Sequence, residues 1–273
     1  MPRWSVGRAL KKLRVNAGMT LEDARRVVRK SIDTVRNIEN GDTSIDHNNL
    51  AALLQAYGAD DQTTEDLLDR SERARKRGWW ISYAPGQRMR MLLDIESVAT
   101  AITSYNHFVW PGWLQTAEYA NALFGKTAPF ETEEARERFA RLQPERYDAI
   151  FDRADPADVT ALVDEAALLR EVAAPAVMVQ QLERVLAAPC EVRVIPLRAT
   201  HPGVVTMSLM ETSEVGPVGY VEGWRDSEIH VNGDDDDVQA LSNIVREIGD
   251  TALPPADSRR MIEDLLEDWE SRA

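Results

Sequence analysis

Through the first quarter of the chain, apolar residues recur at every third or fourth position. Val6, Leu10 and Leu13 predict a first helix. Thr20 precedes Leu21 with Asp23 three residues on, the hydroxyl–carboxylate pairing that opens a second helix. A third helix opens after Ser31 and stops at Gly41, because glycine takes the left-handed backbone conformation at low cost. Val35 and Ile38 point to one side of it and leave Ile32, Asp33, Arg36 and Asn37 to face elsewhere. Leu50, Leu53, Leu54 and Tyr57 predict a fourth helix ending at Gly58; Leu67, Leu68, Ser71 and Ala74 predict a fifth over 63–76. The basic run 73–77 either complements that helix's C-terminus or adds a phosphate contact.

Helices of under about ten residues are marginal alone, so packing must hold the third. A short polar helix held out from a small core is what major-groove reading requires. Ser31, Thr34, Val35, Ile38, Glu39, Asn40 and Gly41 also resemble the signature Ser-x-x-Thr-Val-x-x-Ile-Glu-Asn-Gly of the Cro/repressor-like (xenobiotic-response-element) regulators. That resemblance implies a helix-turn-helix that binds double-stranded DNA. Ile32, Asp33, Arg36 and Asn37 would face a thymine methyl, a cytosine amine, guanine and adenine. Thr20, Lys30, Ser31 and Asn40 would contact phosphate and set register. Arg25 and Arg29 stand where that family usually has alanine and glycine, which predicts a looser crossing of the two helices. One such motif reads only a few base pairs, so a homodimer on two half-sites about 34 Å apart is expected.

Arg77-Gly78-Trp79-Trp80 marks the expected boundary between domains 1–78 and 79–273. The paired tryptophans read as an interdomain plug, since no aromatic-rich sheet surrounds them to make a base-stacking platform. Beyond them, Leu93, Val98, Ile102 and Tyr105 predict a helix over 93–105. Val109-Trp110-Pro111-Gly112 is a turn, with helices expected over 114–124 and, ended by Pro144, 131–142. A strand over 158–163 and helices over 165–172 and 175–186 follow. The period then changes: 191–196 alternates as a half-buried strand does, and 204–210, 217–221 and 228–231 are further strands. Helices over 238–248 and 258–269 close the chain, the first entered through Asn232-Gly233 and the acidic run 234–237. The expected fold is an all-α helix-turn-helix domain followed by an α+β domain: a helical first half, a small sheet and closing helices.

With 273 residues, 44% of them apolar and 29% charged, the chain has the composition of a two-domain globular protein. The net charge of −14 is unevenly spread. Residues 1–80 carry 15 Lys and Arg against 12 Asp and Glu, while the remainder carry 17 against 34. Phosphate contact depends on the local face, so an acidic second domain allows DNA binding while repelling DNA at long range. No apolar run approaches the ~20 residues that span a bilayer, and the N-terminus lacks a signal peptide's apolar core. With Cys190 the sole cysteine, a cytoplasmic protein without disulfide or cysteine-based metal site is expected.

A second set of residues carries a second resemblance. Trp79-Trp80, 109–120, Asp164-Glu165-Ala166-Ala167-Leu168, Gln181-Leu182 and Val194-Ile195-Pro196 are similar to the C-terminal domain of WhiJ-like actinobacterial regulators. The resemblance implies a transcriptional regulator with a small acidic partner encoded nearby, as in toxin–antitoxin pairs. It supplies no ligand, cofactor or catalytic residue. Tyr105, Phe108, Trp110, Trp113 and Tyr119 cluster in sequence as either core or a groove for that partner. No enzyme is expected: His47, His107, His201 and His230 lack metal spacing, Gly216, Gly219 and Gly223 open no helix, and Glu118, Glu165 and Glu222 are scattered. The alternative is an antitoxin-like protein that sequesters its partner and uses the helix-turn-helix for dimerisation or tethering. Arg25, Arg29, Asp33 and the acidic bulk lean that way.

Overall fold

The computed structural model describes residues 3–41, 43–75, 79–83, 85–127, 132–203, 205–213, 216–223, 228–231 and 236–273. They divide into two compact units, Met1–Asp94 and Ile95–Ala273. The dividing point lies beyond the 78/79 boundary expected from sequence, and the segment 80–94 is tied within itself. The Trp80 indole donates to Asp94 at 3.1 Å, and Arg90 lies over its ring.

The first unit holds the five expected helices: α1 (Arg3–Asn16), α2 (Leu21–Val28), α3 (Ile32–Glu39), α4 (His47–Ala56) and α5 (Asp61–Arg75). Their short lengths are offset by caps. Thr20 and Asp23 form a reciprocal capping box on α2, and Ser31 and Asp46 accept the N–H of Thr34 and Asn49. Val6, Leu10, Ala24, Val28, Val35, Ile38, Leu50, Leu53, Leu54 and Leu67 bury one common core. Gly7 lets α1 approach the end of α3, since a β-carbon there would overlap the Ile38 carbonyl oxygen and come within 2.7 Å of that of Glu39. A short 3-10 helix (Trp79–Tyr83) and α6 (Gln87–Glu96) follow. The side chains of the basic run 73–77 and of Trp79 lie outside the described residues.

The second unit is built on a six-stranded mixed sheet of order β3-β2-β1-β4-β5-β6. The strands are β1 (Ala99–Asn106), β2 (Asp158–Asp164), β3 (Glu191–Ile195), β4 (Met207–Thr212), β5 (Val218–Val221) and β6 (Glu228–Val231). β1, β2 and β3 are parallel neighbours; β4, β5 and β6 run antiparallel. In register, Tyr105, Leu162, Ile195 and Met207 share one face, covered by Val245, Ile248 and Ala252 at α11 (Asp236–Thr251). On the other face Ile102, Ala161, Val194, Met210 and Val218 are buried as well. The remaining helices are α7 (Ala117–Thr127), α8 (Glu133–Phe151), α9 (Glu165–Leu169), α10 (Pro175–Ala187) and α12 (Pro255–Arg272). The order of an all-α domain before an α+β domain is as expected, with the closing helices in place. Asn232, Gly233 and the first half of the acidic run before α11 lie outside the described residues.

Three elements correct the sequence reading. The helix expected over 93–105 is instead the end of α6 and all of strand β1. β1 is a central strand covered on both faces, so its buried residues lose the two-residue alternation and imitate a helical spacing. The helix expected to end before Pro144 runs on to Phe151. Proline removes one intrahelical donor, but the turns beyond it bury Arg146, Ile150 and Phe151, which outweigh that loss. The helix expected from Leu114 starts at Ala117 because Gly112–Leu114 form a 3-10 turn and Thr116 caps the Tyr119 N–H.

Candidate nucleic-acid interface

The surface of α3 follows from what its buried side holds. Val35 and Ile38 enter the core, and Glu39 beside them is 4% exposed. Arg14 of α1 meets Glu39 with both arms, Nε to Oε1 at 2.6 Å and Nη2 to Oε2 at 2.9 Å. Its remaining Nη1 donates to the Met19 carbonyl at 2.8 Å. One guanidinium thus ties α1, the turn before α2 and the last turn of α3. The Glu39 carboxylate, by hydrogen bond and charge, raises the Arg14 pKa against the opposing effect of burial. Burial first, then the Glu39 charge, pushes the adjacent Tyr57 hydroxyl up to about 12.

With that side fixed, Asp33, Arg36 and Asn37 are exposed on the outer face of α3 and Ile32 is half-buried beside them. Arg36 donates to Asp33 at 2.6 Å, so two of the four expected base readers hold each other in the free protein. The four expected phosphate contacts are exposed around the motif: Thr20 at the start of α2, Lys30 and Ser31 before α3, and Asn40 after it. Thr20 already gives its hydroxyl proton to Asp23 at 2.6 Å, and Ser31 Oγ lies 2.8 Å from Thr34 Oγ1. Both hydroxyls therefore serve the helix caps. At the turn, Arg29 adopts φ 52°, ψ 43°, the left-handed geometry that favours glycine. Arg25 turns its guanidinium outward to Glu22, leaving the core contacts of α2 to Ala24 and Val28.

The aromatic cluster of the second unit has a different fate. Tyr105, Trp110, Trp113 and Tyr119 are all at most 2% exposed, and only Phe108 of the five presents its ring to solvent. Trp113 packs edge-on to Phe151, and the Tyr105 hydroxyl donates to Asp164 at 2.7 Å. The residues that flank these rings act as staples. Gln115 donates to the Trp110 carbonyl, while buried Gln181 accepts from Thr116 N–H and donates to the Leu114 carbonyl. Glu165 accepts the Leu197 N–H at 2.8 Å. A second buried pair, Arg146 on Glu96 at 2.6 and 3.0 Å, holds α8 to the residues before β1. Trp80, which falls in the first unit, is buried.

Residues 89–264 match the family described as "Domain of unknown function (DUF5753)", and residues 5–67 match a helix-turn-helix domain. The chain belongs to the DUF5753 family. No curated protein and no solved structure matches it. The DUF5753 match covers the sheet and nearly all of the helices around it, and the helix-turn-helix match spans α1 through the first half of α5. Among the described residues no three His, Cys, Asp or Glu side chains are grouped to hold a metal ion, and no helix is long and apolar enough to cross a membrane.

Two residues of the helix-turn-helix are hidden from its sequence pattern. Arg14 lies 25 positions from Glu39, and nothing in its local pattern separates it from a surface arginine. Arg29 is legible in part, as a non-glycine residue where the turn needs a positive φ.

Proposed function

We propose that this DUF5753 protein is a sequence-specific DNA-binding transcriptional regulator. The observation that carries the proposal is the outer face of α3, where Asp33, Arg36 and Asn37 stand exposed on a helix whose inner face is anchored by Val35, Ile38 and the Arg14–Glu39 pair. Such a helix enters the major groove with its N-terminal residues on base edges. Arg36 then reads guanine and Asn37 adenine, while Asp33, released from Arg36, accepts from a cytosine amine. Lys30 and Asn40 contact the flanking phosphates.

The protein acts on this reading as a homodimer, since one motif specifies too few base pairs alone. Its larger domain receives a small partner protein or effector. The three exposed large apolar residues after the parallel strands, Phe108, Leu169 and Leu197, support a surface at that edge rather than among the enclosed tryptophans.

The test is a gel shift of the full chain on its own upstream DNA at low salt, beside Arg36→Ala and Asn37→Ala. Each substitution is expected to cost about 1–3 kcal/mol and to relax one base position. Unchanged binding by both variants would refute this docking. Light scattering that finds a monomer with and without DNA would refute the dimer.

A further inference from the structure

We propose that Arg29, at the turn of the helix-turn-helix, is a phosphate-contacting residue whose strained backbone is retained for the position it gives the side chain. The proposal rests on the DNA-binding reading above.

The chain must reverse sharply between α2 and α3. The reversal is made at Arg29, whose own N–H and that of Lys30 both donate to the Arg25 carbonyl. This requires a positive φ, which crowds any side chain with a β-carbon. Elsewhere in the first unit the same geometry falls on Gly18, Gly41 and Gly58, and Arg29 is the only non-glycine residue with positive φ among those described. Strain of this kind persists where the surrounding packing enforces it, and buried Ala24 and Val28 anchor α2 immediately before the turn.

The guanidinium is exposed. The other described arginines of this motif are engaged: Arg14 with Glu39, Arg25 and Arg26 with Glu22, and Arg36 with Asp33. Among the described residues no hydrogen bond or ion pair engages the Arg29 guanidinium. When α3 lies in the major groove, the turn before its N-terminus faces the sugar–phosphate backbone at the groove edge. A long, permanently charged side chain with a forked donor set suits a phosphate there. Glycine would relieve the strain and lose the contact.

The experiment uses the full chain, a fluorescent random-sequence DNA duplex and salt titration between about 50 and 200 mM. Wild type is compared with Arg29→Gly, Arg29→Asn and Arg29→Lys, and each variant is melted. Arg29→Gly is expected to raise the melting temperature while lowering the salt dependence of log K by about one. Its affinity should fall about eightfold at 0.1 M salt. Arg29→Asn, which tolerates the left-handed geometry, should lose the same salt dependence, and Arg29→Lys should keep it. The proposal is overturned if Arg29→Gly binds with the wild-type salt slope, if Arg29→Lys behaves as Arg29→Gly does, or if Arg29→Gly melts no higher than wild type. Absence of DNA binding by wild type would instead overturn the DNA-binding reading itself.

Discussion

Glu39 ends α3 facing inward, and Arg14, 25 residues earlier, takes both of its oxygens. The pair is largely buried, so each charge relies on the other in place of water. With buried Val35 and Ile38 it holds the inner side of α3, opposite exposed Arg36 and Asn37.

Arg14→Met is expected to cost about 3–5 kcal/mol, because it leaves the Glu39 carboxylate buried without a cation. Pairing it with Glu39→Leu should recover much of that loss, since apolar replacement of both partners removes the stranded charge. Denaturant unfolding of the full chain measures both. Equal losses for the single and double variants would show that the carboxylate does not need the arginine.

Gly7→Ala tests the close approach of α1 to the end of α3. The added methyl group would press on the carbonyl oxygens of Ile38 and Glu39, both of which are backbone and cannot swing aside. A destabilisation of about 1–3 kcal/mol is expected, with weaker DNA binding because α3 is displaced. An alanine variant that melts like wild type would contradict this packing.

Asp33→Asn releases Arg36 from its intrahelical pair. Both groups are exposed, so stability should change by less than about 1 kcal/mol. Affinity for random-sequence DNA should rise severalfold, as a negative charge on the DNA-facing side of α3 is removed and a guanidinium is freed. Anisotropy titration at fixed salt reads the change; weaker binding would show that Asp33 helps rather than restrains.

Acid should loosen the first unit. The side-chain and backbone hydrogen bonds of Thr20 to Asp23, and the N–H and side-chain bonds of Asn49 to Asp46 and Thr63 to Asp60, hold these carboxyls below their ordinary pKa. A depressed folded-state pKa stabilises the fold above the unfolded value, about 4, and that contribution is lost as pH falls through the folded value. Asp46→Asn keeps a cap but not the charge, so its melting temperature should fall less steeply than wild type below about pH 4. Parallel melting profiles for the two proteins would remove Asp46 from the effect.

The amino-acid pattern by itself determined the helix-turn-helix. Its helices are short and local, its caps and glycines sit beside the elements they end, and a surface helix with one buried side keeps a clear 3.6-residue period. The exposed residues of α3 were legible for the same reason: Val35 and Ile38 claim the core, and Asp33, Arg36 and Asn37 are what remains. In the second domain the alternating strand at 191–195 and the closing helices were equally readable.

What only the tertiary structure decided are the contacts made across long separations. β1 reads as a helix because side chains packed on both faces erase its alternation; on the Tyr105 face they include Val245 and Ile248 of α11, far along the chain. Pro144 could not end α8 because residues beyond it pack against distant partners such as Glu96. Whether Trp110, Trp113 and Tyr119 formed core or groove was decided the same way, by the side chains that enclose them. Local sequence encodes dihedral preference and periodicity, whereas burial is a property of the whole assembled domain.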